Sequence, residues 1–369
     1  MGKEVVFGRW ESVCLMLIAI CTKIFMNMPR IAAEEAGTAG WILTFYVSLI
    51  SVGLLAIIFL FHRNFEGKDV IDIAQGAFGN IGRVVTGIVL VLYLVVITSV
   101  VLRGFSENIK IISLNLSPLS FVMIFFAVCM AIGAYMGIEA VVRVAAITVP
   151  VIIAGYILIV VGVLQYAEVS KITPWLGSGP QKIFVEGLRK TSFFSEGLLI
   201  ILLAPFLKTN KNLRSVGYLG FGLSALFMTL SALIYLLIYQ YPAANENFLP
   251  MYQLARIIYY GRFFERIESL FMIIWGITAF IYLATSMFFT VYIFQKTFAL
   301  KHYRPMVIPF TILVLAVAII PQSVMTVIKI ESEYIMNYSF ILTFVFGIII
   351  LATGTIIKKA RKKRRITQN

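Results

Sequence analysis

The chain has 369 residues, 60% of them hydrophobic and only 13% charged, with a mean hydropathy of +0.96. An ordinary soluble domain is about 25% charged, so a soluble fold, which could not bury this much apolar surface, is excluded. The net charge of +14 would suggest a nucleic-acid partner in a soluble protein, but here its placement points to a lipid surface instead.

The apolar residues come in runs of about 20, the length a helix needs to cross a hydrocarbon core of about 30 Å. Helices also satisfy their own backbone hydrogen bonds in lipid. In chain order the predicted spans are 10–33, 40–61, 82–104, 119–137, 142–165, 183–207, 213–239, 264–298, 306–321 and 335–357. The first run is too long for a secretory signal and carries Lys23 in its middle, so it reads as a retained span. Glu139 and Arg143 interrupt an almost continuous apolar stretch between the fourth and fifth spans. If they were buried at i,i+4 spacing inside one long helix, the count would change.

Cys14, Cys21 and Cys129 sit within apolar runs without a CxxC or Cys/His pattern, and read as buried packing residues. Gly53, Gly87, Gly155 and Gly162 are expected to allow close helix packing. Of the two longer outer joints, 166–182 and 240–262, the second leads into Met251 to Arg266. There Arg256, Arg262 and Arg266 stand among Tyr and Phe, as either a helix on the membrane surface or a plain loop.

Lys358, Lys359, Arg361, Lys362, Lys363, Arg364 and Arg365 follow the last span directly, seven of the 31 Lys and Arg. Such a run anchors to anionic lipid at about 1 kcal/mol per basic residue. The expected partner of the tail is the bilayer, with no nucleic acid. Ten spans put both ends on one side, and the tail makes that side the cytoplasm. Elsewhere Lys and Arg divide almost evenly between the sides, although Lys208, Lys211 and Arg214 in one short joint and Lys296, Lys301 and Arg304 in another agree with the assignment. Residues 1–357 thus read as one integral membrane domain and 358–369 as a basic cytoplasmic tail.

Spans one and six differ from the rest. The first holds Thr22, Lys23 and Asn27, with Pro29 unable to donate a backbone hydrogen bond. The sixth holds Phe193, Phe194, Ser195, Glu196 and Gly197 in a run ending at Pro205. Both are expected to break at mid-membrane. They open two sets of five spans, 10–165 and 183–357, and an odd number per set makes the second run inverted relative to the first. Interrupted helices at corresponding positions of inverted halves point to a central binding site, where free N–H groups and carbonyls suit the carboxylate and ammonium of an amino acid.

An ionised group at the bilayer centre costs about 2.5–3.5 kcal/mol on the insertion scale and needs a partner. Lys23 and Glu196 could meet across the breaks. Alternatively Lys23 snorkels, or the spans are shifted so that Glu196 lies nearer the outer surface, or Glu196 faces a ligand ammonium without Lys23. Thr98 and Ser99 in span three, and Thr278, Tyr282, Thr285 and Ser286 in span eight, are weaker candidates for the same cavity, since hydroxyls often bond back to their own helix. Scattered Phe and Tyr read as lipid-facing or packing residues rather than a ligand cage. With His62 and His302 as the only histidines and no Walker loop, HExxH or nucleophile elbow, neither an enzyme nor a metal or cofactor site is expected.

The length, the ten spans, Ala36-Gly37-Thr38-Ala39-Gly40 before Trp41, and the stretch from Glu196-Gly197 through Leu-Leu-Ile-Ile-Leu-Leu-Ala-Pro-Phe-Leu to Lys208 resemble the B subunit of spore germinant receptors. These are spore germination permeases of the amino acid–polyamine–organocation superfamily. The resemblance implies a leucine-transporter-like, all-α fold of five plus five inverted helices, with ligand between helices one, three, six and eight. It also implies assembly with a larger A subunit and a lipoprotein C subunit in the inner membrane of the spore, where a small amino acid or similar nutrient germinant triggers germination. The segments carried over are Thr22 to Pro29 and Phe193 to Gly197. Many superfamily members have small residues at both breaks, whereas Lys23, Phe25, Phe193 and Phe194 stand here. A proton-coupled amino acid transporter is the alternative, with a proton or Lys23 in place of a coupling sodium ion.

Overall fold

The structure, a computed structural model, describes residues 7–259 and 267–366. Seven helical stretches there are long and apolar enough to cross a membrane: Met28–His62, Val70–Ile112, Leu119–Met136, Ile138–Tyr166, Asn210–Ile238, Phe271–Thr297 and Val324–Arg361. The apolar helix Arg304–Ile319 is shorter, and the first and sixth passes are each split into shorter helices. Counted in chain order these give ten passes in an all-α bundle.

In span one, α1 (Arg9–Cys21) runs into a 3₁₀ turn, Thr22–Phe25, and the chain leaves helical geometry at Met26 (φ −93°, ψ −113°). It resumes as α2 (Met28–Ala36), with Pro29 in the first turn, where no helical partner is required of its missing N–H. Span two is α3 (Gly40–His62) and span three lies within α4 (Val70–Ile112). The latter begins well before the expected boundary, at a capping box formed by Asp69 and Asp72, and kinks at Gly79 (φ 68°).

Spans four and five are separate helices, α5 (Leu119–Met136) and α6 (Ile138–Val163), because Gly137 takes φ 96° between them. Glu139 and Arg143 pair in the first turns of α6, largely exposed rather than buried in one long helix. After the short α7 (Pro180–Phe184), span six comprises a 3₁₀ half, Glu186–Phe194, then α8 (Gly197–Leu202) and α9 (Ala204–Leu207).

Span seven is α10 (Asn210–Ile238). It is followed by α11 (Pro250–Arg256), span eight α12 (Ile267–Thr297) and span nine α13 (Val307–Ile319). Span ten starts earlier than expected, at α14 (Val324–Lys329), capped by Ser323. It continues through π turns at Ile330–Ile335 and Ile341–Val345, on either side of α15 (Met336–Phe340), into α16 (Phe346–Ile366). The helix therefore carries on through much of the basic run; the side chains of Lys362 to Arg365 lie outside the described residues.

Both ends lie on one face. Lys358 donates to the Asn64 carbonyl and Arg361 to that of Gly76, while Phe7 stacks on Phe206 (5.9 Å). Three of the four packing glycines sit where a methyl group would collide across a helix contact: Gly87 with Thr297, Gly155 with Ile274 and Gly162 with Ile258. Gly53 does not, because it faces open space. The segment expected as a surface helix or loop is, over α11, neither: Met251, Leu254 and Ala255 are buried against α6, α10 and α12. Arg262 and Arg266 lie outside the described residues. Cys14 and Cys21 are buried, whereas Cys129 is only partly so.

Candidate ligand site at the two helix breaks

The break in span six leaves the carbonyls at the end of its first half without helical partners, and the side chain of Lys23, from the break in span one, fills that position. Its Nζ donates to Glu196 Oε2 (2.5 Å), Ser195 Oγ (2.8 Å), the Phe193 carbonyl (3.0 Å) and the Ser192 carbonyl (3.4 Å). An ammonium has three N–H donors, so this shell saturates it. Lys23 and Glu196 are both nearly inaccessible as side chains, at 8% and 9%, so neither snorkelling nor a displaced span describes them. Burying two ions is offset only where geometry is good and the remaining donors find acceptors, as they do here.

Other residues around the breaks play different parts. The Thr22 hydroxyl turns back to the Ile18 carbonyl (2.7 Å). Phe193 contributes its carbonyl while its ring is fully buried, and Phe194 stacks on Phe221. Gly197 lies so close to the Phe344 ring that a Cβ would come within 2.7 Å of it. Tyr282 reaches Glu196 Oε1 at 3.5 Å. Thr98 stands one hydrogen bond behind the cavity wall, bonded to Ser286 Oγ (2.5 Å) and to the Leu94 carbonyl. Ser99, Thr278 and Thr285 bond back to their own helices, Ser99 also to the Val314 carbonyl.

Asn27 points elsewhere, donating to Glu331 Oε2 at 2.9 Å. Glu331 lies in the first π turn of span ten and is buried. Sequence reading missed it: with the span drawn from 335, the string Lys329-Ile-Glu331-Ser-Glu333 looks like a charged joint. The Ser323 cap and the apolar residues from Val324 are the signals that would have moved the boundary.

Below the Lys23–Glu196 pair, toward the face of the termini, lies a cavity of about 50 Å³ between spans one, three, six and eight. Its walls are Ala19, Tyr93, Leu94, Ile97, Ser195, Glu196, Leu198, Leu199, Leu202, Tyr282, Thr285, Ser286 and Phe289. At about 10–15 Å³ of such volume per water molecule, it holds a few waters or a small ligand side chain.

Packed side chains stand on both approaches to the cavity. On the far side α11 packs over the first break and Arg30 sits over the Phe248 ring. On the side of the termini Phe206 packs with Phe7, Phe288 and Tyr292. Below them Lys296 bridges Asp69 (2.7 Å) and Asp72 (2.6 Å), with Tyr292 donating to Asp69 (2.9 Å).

Ten passes, breaks in the first and sixth, and a central cavity between spans one, three, six and eight define a membrane protein of the leucine-transporter-like fold. The fold is shared with MhsT in complex with L-phenylalanine (TM-score 0.68, 14% identity, 95% of this chain and 89% of that one). It is also shared with a Na+-coupled sialic acid symporter (0.67, 12% identity, 96% and 90%) and with Mhp1, a nucleobase-cation-symport-1 family transporter (0.61, 12% identity, 96% and 91%). The chain belongs to the spore germination protein family, whose model matches residues 11–327. Among relatives, spore germination protein A2 of Bacillus subtilis is 24% identical over 352 residues, 93% of this chain and 92% of that protein. Spore germination protein B2 of the same organism is 21% identical over 209 residues, and that match spans just over half, 57%, of each chain.

Proposed function

We propose that this spore germination protein is the nutrient-sensing subunit of a germinant receptor, and that it binds a small amino acid or similar nutrient at the two helix breaks. The observation that carries the reading is the cavity at those breaks, walled by spans one, three, six and eight. The L-phenylalanine complex of MhsT, a protein of the same fold, supports an amino acid as the ligand class. The chain sits in the inner membrane of the spore with both ends in the cytoplasm, beside a larger A subunit and a lipoprotein C subunit. A ligand shifts such a bundle only if it binds one of its states more tightly than another. Exchanging the closed state for one that admits ligand provides that difference.

The test compares nutrient dose responses of spores carrying the wild-type chain and Glu196→Gln at matched receptor levels. Loss of response, or a shift of tenfold or more, is expected; an unchanged curve at an unchanged level rules out the assignment. A proton-coupled transporter is the second reading, favoured by Lys23 filling the acceptor shell that a bound cation would otherwise need. Reconstituted vesicles separate the two: concentrative amino-acid uptake driven by a pH gradient favours transport, and binding without uptake favours sensing.

A further inference from the structure

Around the first break the described residues bury two carboxylates, Glu196 and Glu331, one ammonium, Lys23, and one guanidinium, Arg30. Lys23 is bound to Glu196 and to three further acceptors, all on span six. Glu331 has instead the Asn27 amide, a neutral donor. Arg30, the other buried cation of span one, pairs with Glu34 at 3.3 Å and sits over the Phe248 ring, and its Nε is buried without a partner. No ion pair reaches Glu331 among the described residues, and a buried carboxylate without a directly bound cation is costly.

A second observation falls at the same place. Asn27 is only 3% exposed, and its Oδ1 is buried without a hydrogen-bond partner. A buried amide oxygen left unpaired carries the full cost of its desolvation. A group that brings both a hydrogen-bond donor and a positive charge would therefore serve Asn27 and Glu331 together. A primary ammonium supplies both, with three N–H groups for the Glu331 carboxylate and the Asn27 oxygen. A bare metal ion brings charge but no donor, and hard cations call for a shell of about six oxygens.

We infer that Asn27 and Glu331 form a subsite for the primary ammonium of the ligand, separate from the Lys23–Glu196 pair and reached when the outer half of span one parts from the π turn of span ten. The inference rests on the amino-acid reading above and deepens it. Glu196, already occupied by an internal ammonium, orders the break, and Glu331 reads the ligand's charge. The π turn fits this part, since such bulges often lie at functional sites.

The probe is methylammonium, a ligand's ammonium stripped of the rest, added as the chloride to the purified full-length chain in lipid nanodiscs. Thermal unfolding is followed against sodium chloride and tetramethylammonium chloride at equal ionic strength. Methylammonium is expected to raise the melting temperature saturably. Sodium, without a donor, and tetramethylammonium, without an N–H, should not. Glu331→Gln should raise the half-saturating methylammonium concentration at least tenfold, and Asn27→Asp, which adds a second carboxylate, should lower it. If Glu331→Gln fails to fold, the Asn27→Asp shift still decides. An equal effect of sodium, no effect of methylammonium, or unchanged half-saturation in both variants overturns the subsite.

Titration with glycine and L-alanine separates the two levels of the argument. Saturable amino-acid binding that is insensitive to Glu331→Gln leaves the amino-acid reading standing and removes the subsite. A Glu331-dependent methylammonium effect without amino-acid binding does the reverse.

Discussion

Lys23 is a primary amine in the middle of a membrane span, and what surrounds it follows from the cost of placing it there. Removing one partner of a buried ion pair leaves the other uncompensated, at about 3–5 kcal/mol, whereas replacing both with apolar groups is often nearly neutral. Lys23→Met and Glu196→Leu should each destabilise the chain by about that amount, and the double variant by markedly less than their sum. Thermal unfolding in detergent, read as a double-mutant cycle, checks this; additive losses would mean that the 2.5 Å contact is not what holds the breaks together. The pair was legible in the sequence only as one of several arrangements open to two charges that are rare within apolar runs and need partners. Its acceptor shell was not, since the Ser192 and Phe193 carbonyls are freed by the break rather than by any side chain. Glu331 escaped notice because hydropathy places a span boundary wherever charge appears, and a buried acid at the start of a helix has the same signature as a loop.

At the scale of elements, the count of ten and the two breaks were read correctly because run length and interrupted apolarity are properties of a single segment. Boundaries depend on what packs alongside. α4 reaches back to a capping box at Asp69, which Lys296 and Tyr292 of α12 hold, and span ten reaches back to Ser323, where α14 packs on α4. Composition did not reveal which face of a helix a glycine occupies, so Gly53 and Gly87 looked alike. Gly87→Ala drives a methyl group into Thr297, an overpacking that costs about 1–3 kcal/mol, and Thr297→Ala should restore part of the loss. Gly53→Ala, in open space, should change the melting temperature little, and a loss equal to that of Gly87→Ala would contradict the packing described. Gly137 is a glycine of another kind. At φ 96° a side chain is strained, typically by about 1–3 kcal/mol, and Gly137→Ala should lower stability even though only the Tyr303 hydroxyl lies near the added carbon.

For the whole molecule, the consequence of the two closures is that access to the cavity is decided at the ends of the bundle rather than at the breaks. On the face of the termini the closure is polar below an aromatic layer, and Asp69 is fully buried with Lys296 as its cation and Tyr292 as its donor. Lys296→Met removes the cation and leaves Asp69 beside Asp72, two carboxylates that repel. Separation of α4 from α12 at that end, which lets water reach both, relieves the cost. A cysteine introduced at Leu202, on the cavity wall nearest this face, in a chain with Cys14, Cys21 and Cys129 replaced by alanine, reports the opening. A membrane-impermeant maleimide added from the side of the termini should label it slowly in the parent chain and at least tenfold faster with Lys296→Met, since a shift of about 1.4 kcal/mol between two states changes the open population tenfold while that population is small. Lys296→Arg, which keeps the charge, should label at close to the parent rate. Equal rates in all three chains would locate the barrier in the aromatic layer of Phe7, Phe206, Phe288 and Tyr292 instead, and Phe206→Ala would then be the variant that opens the cavity.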